Sequence, residues 1–468
     1  MPLTDEEYKL TNNKLSLTMY FLDKYWSKIF LGLNNKMSSY DLIIVGGGIS
    51  GLRVGIKALK INPGINCCIL EKYGYIGGRI VTFRKNIPRV GLVQWENGAG
   101  RIATTHKKVL RLLKDYGLTF IPIDSESSFI NEKTGAITEN NFSDLIQFYF
   151  GPIEKLPSGV LASNTLSELL NRTIGLAAAK KLYEEFPYYS EIHTLRADLA
   201  LESFRKEMGS SGFGVVKEGF SSLTDAMMDE FIDLGGKIIT DVAAYKVASN
   251  RDNSVTINCR IRNTTTKTLY TGVAVVLALH HSALTKIEGV NTLHVLRHLT
   301  MMPLLRIYAV FPTNNGVSWF SKFSKIVTNS RIRYIIPIDS RMGIVMISYT
   351  DGLDAKWWFK QNIGDSGDND VKEIVMTKIR KLFPELNIPD PIFFKQHPWY
   401  DGCTYWLPGD YNVEEESNKS LHPRPKSMPN LFMCGESFAV KQCWVESALV
   451  QADKLVESGP FLRAIHEL

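Results

Sequence analysis

The stretch Asp41-Leu-Ile-Ile-Val-Gly46-Gly-Gly48-Ile-Ser-Gly51 constrains this chain more than any other: an apolar strand runs straight into a Gly-x-Gly-x-x-Gly turn. Strand, tight turn and helix in that order open a βαβ unit, the start of a doubly wound parallel sheet. Gly46 permits the turn, Gly48 lets the backbone approach a pyrophosphate, and Gly51 lets the following helix close on the strand. The unpaired amides at that helix start, around Ile49 and Ser50, and its positive dipole end suit phosphate. Glu71 stands 20 residues beyond Gly51 and closes a second apolar strand, Asn66-Cys-Cys-Ile-Leu70. There a carboxylate is placed to accept hydrogen bonds from ribose hydroxyls. A glycine triplet alone is weak evidence, but strand, glycines, helix and acid within about 30 residues specify a dinucleotide site.

At 468 residues the chain is long enough for two domains. Its formal charge of +6 comes from scattered basic residues, which indicates a solvated Lys-rich surface and no nucleic-acid partner. The six cysteines (67, 68, 259, 403, 434 and 443) include no C-x-x-C pair and no histidine partner at ligand spacing. They fit a reducing compartment, so a cytoplasmic location and no metal site are expected. No run reaches ~18 uninterrupted apolar residues, and no transmembrane segment is expected. Leu15 to Leu33 is apolar but broken by Asp23, Lys24 and Lys28, which disfavours a secretory segment. We read residues 1–38 as a helical extension packed on the body; an interfacial membrane anchor is the alternative.

Glu71-Lys-Tyr-Gly-Tyr-Ile-Gly77-Gly78-Arg79 adds a second glycine pair and an arginine just past the acid. By itself Gly77-Gly78-Arg79 could be a surface turn. Near the other end, the strand Leu431-Phe-Met-Cys434 leads into Gly435-Glu436-Ser437, and Cys443-Trp444-Val445-Glu446-Ser-Ala opens a helix. Together these segments resemble the flavin-containing amine oxidase superfamily, the monoamine, L-amino-acid and polyamine oxidases. The loops are similar to divergent copies of the family in large DNA viruses. The resemblance implies FAD, with Gly78 and Arg79 continuing its binding wall and a backbone contact near Ala244 facing the adenine. It also implies that Glu436 serves the ribityl or pyrophosphate, and that the amides of Trp444 and Val445 stabilise negative charge on the reduced flavin. Glu446 reads equally as a first-turn helix acid or a site residue.

Substrate chemistry is where this family divides. Trp95-Glu-Asn-Gly98-Ala99-Gly100-Arg101 is similar to the segment passing under the flavin in L-amino-acid oxidases. In those enzymes an arginine holds the substrate carboxylate, and Arg101 falls on that place; its alternative partners are the flavin and Glu96. Arg306, on an apolar strand, stands where the family has a lysine that holds a water near the flavin. That departure puts water-assisted reoxidation in doubt, and an ordinary surface arginine is the other reading. His397-Pro-Trp399-Tyr-Asp-Gly402-Cys403-Thr-Tyr405-Trp406-Leu-Pro408-Gly409 resembles the loop carrying a flavin-packing tryptophan, matched by Trp399, and one wall of an aromatic cage. Tyr405 or Trp406 supplies that wall and Trp444 the opposite one. Monoamine oxidases attach FAD through a cysteine in a similar Gly-Cys loop. The spacing from Cys403 to Gly409 is shorter than the family's, so noncovalent FAD is expected.

The expected fold is therefore α/β: a Rossmann-like, doubly wound FAD-binding domain (residues 39–125, 215–300 and 395–460) interleaved with an α+β substrate domain (126–214 and 301–394). The expected reaction is FAD-dependent oxidation of an amine or L-amino-acid C–N bond to an imine, with dioxygen as acceptor and hydrogen peroxide as product. A C–C desaturase and a low-turnover flavoprotein with a binding role are the alternatives. The expected partners are a small-molecule amine or amino acid and dioxygen, with the oligomeric state open.

Overall fold

The computed structural model describes residues 29–31, 38–124, 126–139, 142–186, 188–208, 212–361, 367–424 and 428–466. The opening motif folds as strand β1 (Ser38–Val45), helix α1 (Ile49–Ile61) and strand β2 (Cys67–Leu70). Leu42 to Val45 and all of β2 are buried, because helices cover both faces of a parallel sheet. The long strand β3 (Lys267–Leu277) lies parallel to β1 on the side away from β2. Beyond β2 comes Lys237–Thr240, also parallel, and beyond β3 the antiparallel pair Val255–Ile261 and Val242–Ser249. Leu431–Met433 adds to β3 in parallel, and with Ile29–Leu31 at the outer edge of Lys237–Thr240 the sheet has eight strands among the described residues. Two apolar cores lie against it, one including Ile43, Val45 and Leu277, the other including Leu42, Ile44 and Val276.

Glycine sets how closely these layers approach. A Cβ on Gly51 would sit 2.0 Å from the Gly46 carbonyl oxygen, and one on Gly55 would sit 2.6 Å from the Phe231 ring of helix Ser221–Asp233. Without side chains there, α1 is drawn down onto the turn and against its neighbouring helix.

A seven-stranded sheet forms the second layer system. Next to its edge runs β4 (Leu299–Val310), flanked by Ile344–Asp351 and by the edge strand β5 (Phe393–Trp406), both antiparallel to it. Its core holds Leu305, Ile307, Trp358 and Val375. Here the structure corrects the sequence reading. The segment from His397 to Trp406, taken as a loop, is strand, because β4 offers it backbone partners from Leu299 to Val310, with one irregularity between Met302 and Leu304 opposite Tyr400 to Gly402. The expected domain boundary at residue 395 falls inside β5, so this strand belongs with the second sheet.

A second correction concerns the amino-terminal segment. Ile29–Leu31 pairs in parallel with Ile238–Thr240, a strand where a helix was expected; the edge of the parallel sheet supplies the free hydrogen-bonding row. The rest of residues 1–37 lies outside the described residues. Among the described residues, no helix is long and apolar enough to cross a membrane.

Two helices complete the frame, α2 (Lys107–Asp115) and α3 (Val445–Val456). Asp453 on α3 ties them to α1: it accepts from Arg53 at 2.8 Å, Lys57 at 2.9 Å and Lys108 at 2.6 Å. Burial alone would raise the Asp453 carboxyl, but hydrogen bonds from these three cations hold it down at about 2. Ser50 reinforces the joint by donating to the Ala448 carbonyl at 3.1 Å.

Candidate active site

The carboxyl ends of β1, β2 and β3, the start of α3, and the facing strands β4 and β5 enclose one cleft of about 2260 Å³. The residues assigned to the site from sequence line this cleft, except Gly51, whose place is beneath the turn, and the wall candidate Trp406. Those residues come from segments hundreds of positions apart, and the fold brings them together.

At one end lies the glycine crevice. Gly46 adopts φ +111°, where a Cβ would strike the Ala278 carbonyl oxygen at 2.5 Å. Gly48 and Gly78 face each other; a Cβ on Gly78 would approach the Gly48 Cα to 3.3 Å, so side chains would fill the crevice. The Gly77 amide donates to the Gly47 carbonyl at 2.9 Å, which docks the second glycine pair on the first. Helix α1 starts at Gly48 with no side-chain cap, leaving its first amides available to an anion. Glu71 receives the Gly47 amide at 2.8 Å and the Tyr73 amide at 2.8 Å. Burial raises its carboxyl above the usual range, and these amide bonds oppose that rise. Each oxygen keeps a further lone pair for a hydroxyl. Ala244 lines the same end, at an irregularity in its strand.

The middle of the cleft is held by Arg79. One nitrogen donates to Glu436 Oε2 at 2.8 Å and another to the Gly402 carbonyl at 2.9 Å. Glu436 also accepts the Cys443 amide at 2.7 Å. Cys443 takes φ +68°, a left-handed conformation that favours glycine. Gly98 passes under Arg79: a Cβ there would lie 2.0 Å from the Arg79 carbonyl oxygen, and the Ala99 amide donates to that oxygen at 2.9 Å. Trp399 closes this stretch, its indole donating to the Asn97 carbonyl at 2.9 Å.

The far end is aromatic and charged. Trp444 precedes α3, meets His106 edge-on at 4.8 Å and stacks with Phe213 at 6.1 Å. The Arg101 guanidinium lies 4.9 Å over the same Phe213 ring. Arg306 donates to the Glu96 carbonyl at 3.0 Å and stands 5.3 Å over Tyr349. Its Nε is buried with no partner among the described residues, a donor with a bond left to make. Burial pushes the Glu96 carboxyl up to about 7, against the Phe220 amide, the Thr82 hydroxyl and the Arg306 charge. The Tyr405 hydroxyl donates to Glu191 at 3.2 Å. Trp406, the other candidate for that wall, is not in the cleft. Its indole donates to the Ala439 carbonyl at 2.9 Å and it is fully buried in the core, because alternate residues of β5 point to opposite faces.

Several cleft residues escaped the sequence reading. Tyr349, Asp351, Glu191 and His280 all line it. Asp351 accepts the amides of Tyr189 and Ser190, at 3.3 and 2.8 Å, and burial raises its carboxyl. His280, just past β3, is held neutral down to about 3 by burial and by Arg79, and its Nδ1 is buried without a partner among the described residues. Only the strand end Ala278-Leu279-His280 signalled it. Glu446, left open between two readings, accepts the amides of Lys108 and Val109 at 3.0 and 2.9 Å and thereby caps α2.

The model of flavin containing amine oxidoreductases matches residues 57–190 and 184–454. The chain belongs to the flavin-containing amine oxidoreductase family. It is similar to a flavin-containing amine oxidase of Danio rerio, 31% identical over 99 residues, which are 21% of this chain and 18% of that protein. Amine oxidase B of Cavia porcellus is 38% identical over 82 residues, 17% of this chain and 14% of that protein. These matches span less than a fifth of the curated relatives' length. Among solved structures, putrescine oxidase bound to putrescine aligns with TM-score 0.66 and 14% identity, over 89% of this chain and 98% of that one. A single mutant from a redesign of cofactor binding in putrescine oxidase aligns with TM-score 0.68 and 14% identity, over 90% and 100%. At such identity the likeness shows the fold: an α/β chain built like this oxidoreductase family.

Proposed function

We propose that this chain is an FAD-dependent amine oxidase that converts the C–N bond of an amine or L-amino acid to an imine. One observation carries the reading: the glycine crevice, the Arg79–Glu436 pair and the Trp444–Tyr405 end open into a single cleft. FAD, when bound, supplies hydride acceptance from the substrate α-carbon and passes the electrons to dioxygen, which leaves as hydrogen peroxide. The protein does the holding. The α1 amides and the open space at Gly48 suit its pyrophosphate, and Glu71 suits a ribose.

Arg306 Nε suits an acceptor on a water or on the cofactor. Trp444, Tyr405 and Tyr349 flank the substrate end and exclude water, while Glu191 and Asp351 give it affinity for an amine. Arg101 suits a carboxylate, which would make an amino acid a better substrate than its decarboxylated amine. Attachment is noncovalent in this reading, with Cys403 a wall residue.

Anaerobic titration tests the reaction without relying on dioxygen. Purified protein should show flavin absorbance that substrate amine bleaches, and acid precipitation should leave the flavin in the supernatant. Protein that neither contains nor takes up FAD contradicts the reading, and flavin retained in the pellet and lost in Cys403→Ala contradicts noncovalent attachment. Gly48→Asp should lose the flavin, because a carboxylate would meet the pyrophosphate.

A further inference from the structure

A second cluster of functional side chains lies away from the cleft. The single helical turn His294–His298 leads into β4, and the helix Val413–Ser420 follows β5. Where they meet, one ligand atom from each of His294, His298 and Glu416 lies within 4.8 Å of the other two. None of the three lines the cleft.

The ligand set has the chemistry of a metal site. His294 and His298 open and close this 3-10 turn, and their rings meet edge-on with 4.8 Å between centroids. His294 Nδ1 lies 3.5 Å from Glu416 Oε2. His298 is braced by Tyr411, whose ring stacks on it at 4.0 Å. The His298 Nε2 atom has neither solvent nor a hydrogen-bond partner among the described residues, which marks a polar atom whose ligand is missing.

Competing cations are accounted for. Lys419 reaches Glu416 Oε1 at 3.5 Å but sits closer to Glu415, at 2.7 Å. Arg196 is occupied by Asp198 at 2.8 Å. Glu416 Oε2, the oxygen that faces His294, is the one left for an ion.

We propose that His294, His298 and Glu416 bind one borderline divalent transition-metal ion of the zinc class. Two imidazoles and one carboxylate hold it, and water completes the shell. Tetrahedral zinc ligands stand roughly 3.3 Å apart at bond lengths of about 2.0–2.1 Å. The site must therefore contract, and His294, with 68% of its side chain exposed, has the freedom to swing in. The ion would staple the turn ahead of β4 to the helix after β5, bracing the two strands that carry Arg306 and Tyr405. No metal is expected from the cysteines, which lack a histidine partner at ligand spacing, and this cluster contains none of them. This inference does not rest on the flavin reading.

Metal binding to the tag-free, EDTA-dialysed full chain tests it, with Zn2+ in calorimetry and Co2+ as spectroscopic probe. The expected result is one Zn2+ per chain, an EDTA-reversible rise in melting temperature, and visible d–d absorption with Co2+. His294→Ala removes an exposed ring and Glu416→Gln preserves shape. Each should weaken Zn2+ binding by at least about 10- to 100-fold. Absence of stoichiometric uptake by the parent chain, or unchanged affinity in either variant, overturns the proposal.

Discussion

Arg79 and Glu436, 357 residues apart in the chain, form an ion pair of 2.8 Å in the middle of the cleft wall. The pair joins the segment after β2 to the turn before α3, and a second contact from Arg79 fixes the Gly402 carbonyl of β5. Sheet one, sheet two and the start of α3 thus meet at one guanidinium.

Glu436→Gln should therefore loosen the wall as a whole. A hydrogen bond to a charged group is worth about 1.5–3 kcal/mol, and a loss of that size should appear in urea unfolding of the flavin-loaded protein. Arg79→Met should lose a similar amount, and the double variant less than the sum, because both singles break one contact. Additive losses would show that the two side chains act separately.

Arg306 is positioned by Glu96 and Tyr349 and keeps an unsatisfied Nε. Arg306→Met should slow reoxidation of the reduced protein by dioxygen about 10- to 150-fold, the equivalent of one charged hydrogen bond. Arg306→Lys, which restores the residue of the family pattern, should speed it relative to the parent. Stopped-flow mixing with dioxygen reads both, and an unchanged rate in Arg306→Met would remove this arginine from the chemistry.

Arg101 tests substrate class. Loss of its pairing with a carboxylate should cost roughly 2–5 kcal/mol, or about 30- to 5,000-fold in kcat/KM for amino acids. Arg101→Met should leave simple amines nearly untouched. Equal loss on both substrate types, or loss of flavin, would assign Arg101 to the cofactor.

Acid stability should depend on Asp453. Its folded carboxyl titrates at about 2, below its unfolded value, so its contribution is complete above the unfolded value and disappears as pH falls through about 2. At neutral pH the contribution is about 2–3 kcal/mol by linkage. Asp453→Asn should lose that stability at pH 7 and flatten the unfolding curve between about pH 4 and 2. An unchanged pH profile would show that the three cations around it carry no net weight.

The dinucleotide crevice was legible because its signal is local. Gly46, Gly48, Gly51 and Glu71 sit within one βαβ unit: close backbone approach requires Gly46 and Gly51, Gly48 leaves the crevice open, and Glu71 accepts the Gly47 and Tyr73 amides. Trp399, Arg79 and Glu436 were legible only through resemblance, since nothing local tells that they share a wall. Glu446 shows why the remainder was not legible: its partners are backbone amides on α2, 338 and 337 residues away, and amides leave no trace in composition. The loop expected around His397 failed similarly, because pairing with β4 outweighs a Pro- and Gly-containing local pattern. Tyr405 and Trp406 differ only in which face of β5 they occupy, and that register is set by the neighbouring strand.

Amine-dependent peroxide release is the most direct test of the central claim. Purified, flavin-loaded protein should generate hydrogen peroxide stoichiometric with imine-derived carbonyl product when given primary amines, polyamines or L-amino acids, and none without them. Flavin-replete protein that releases no peroxide, and shows no flavin reduction, across such a panel would contradict the assignment of this chain as an amine oxidase.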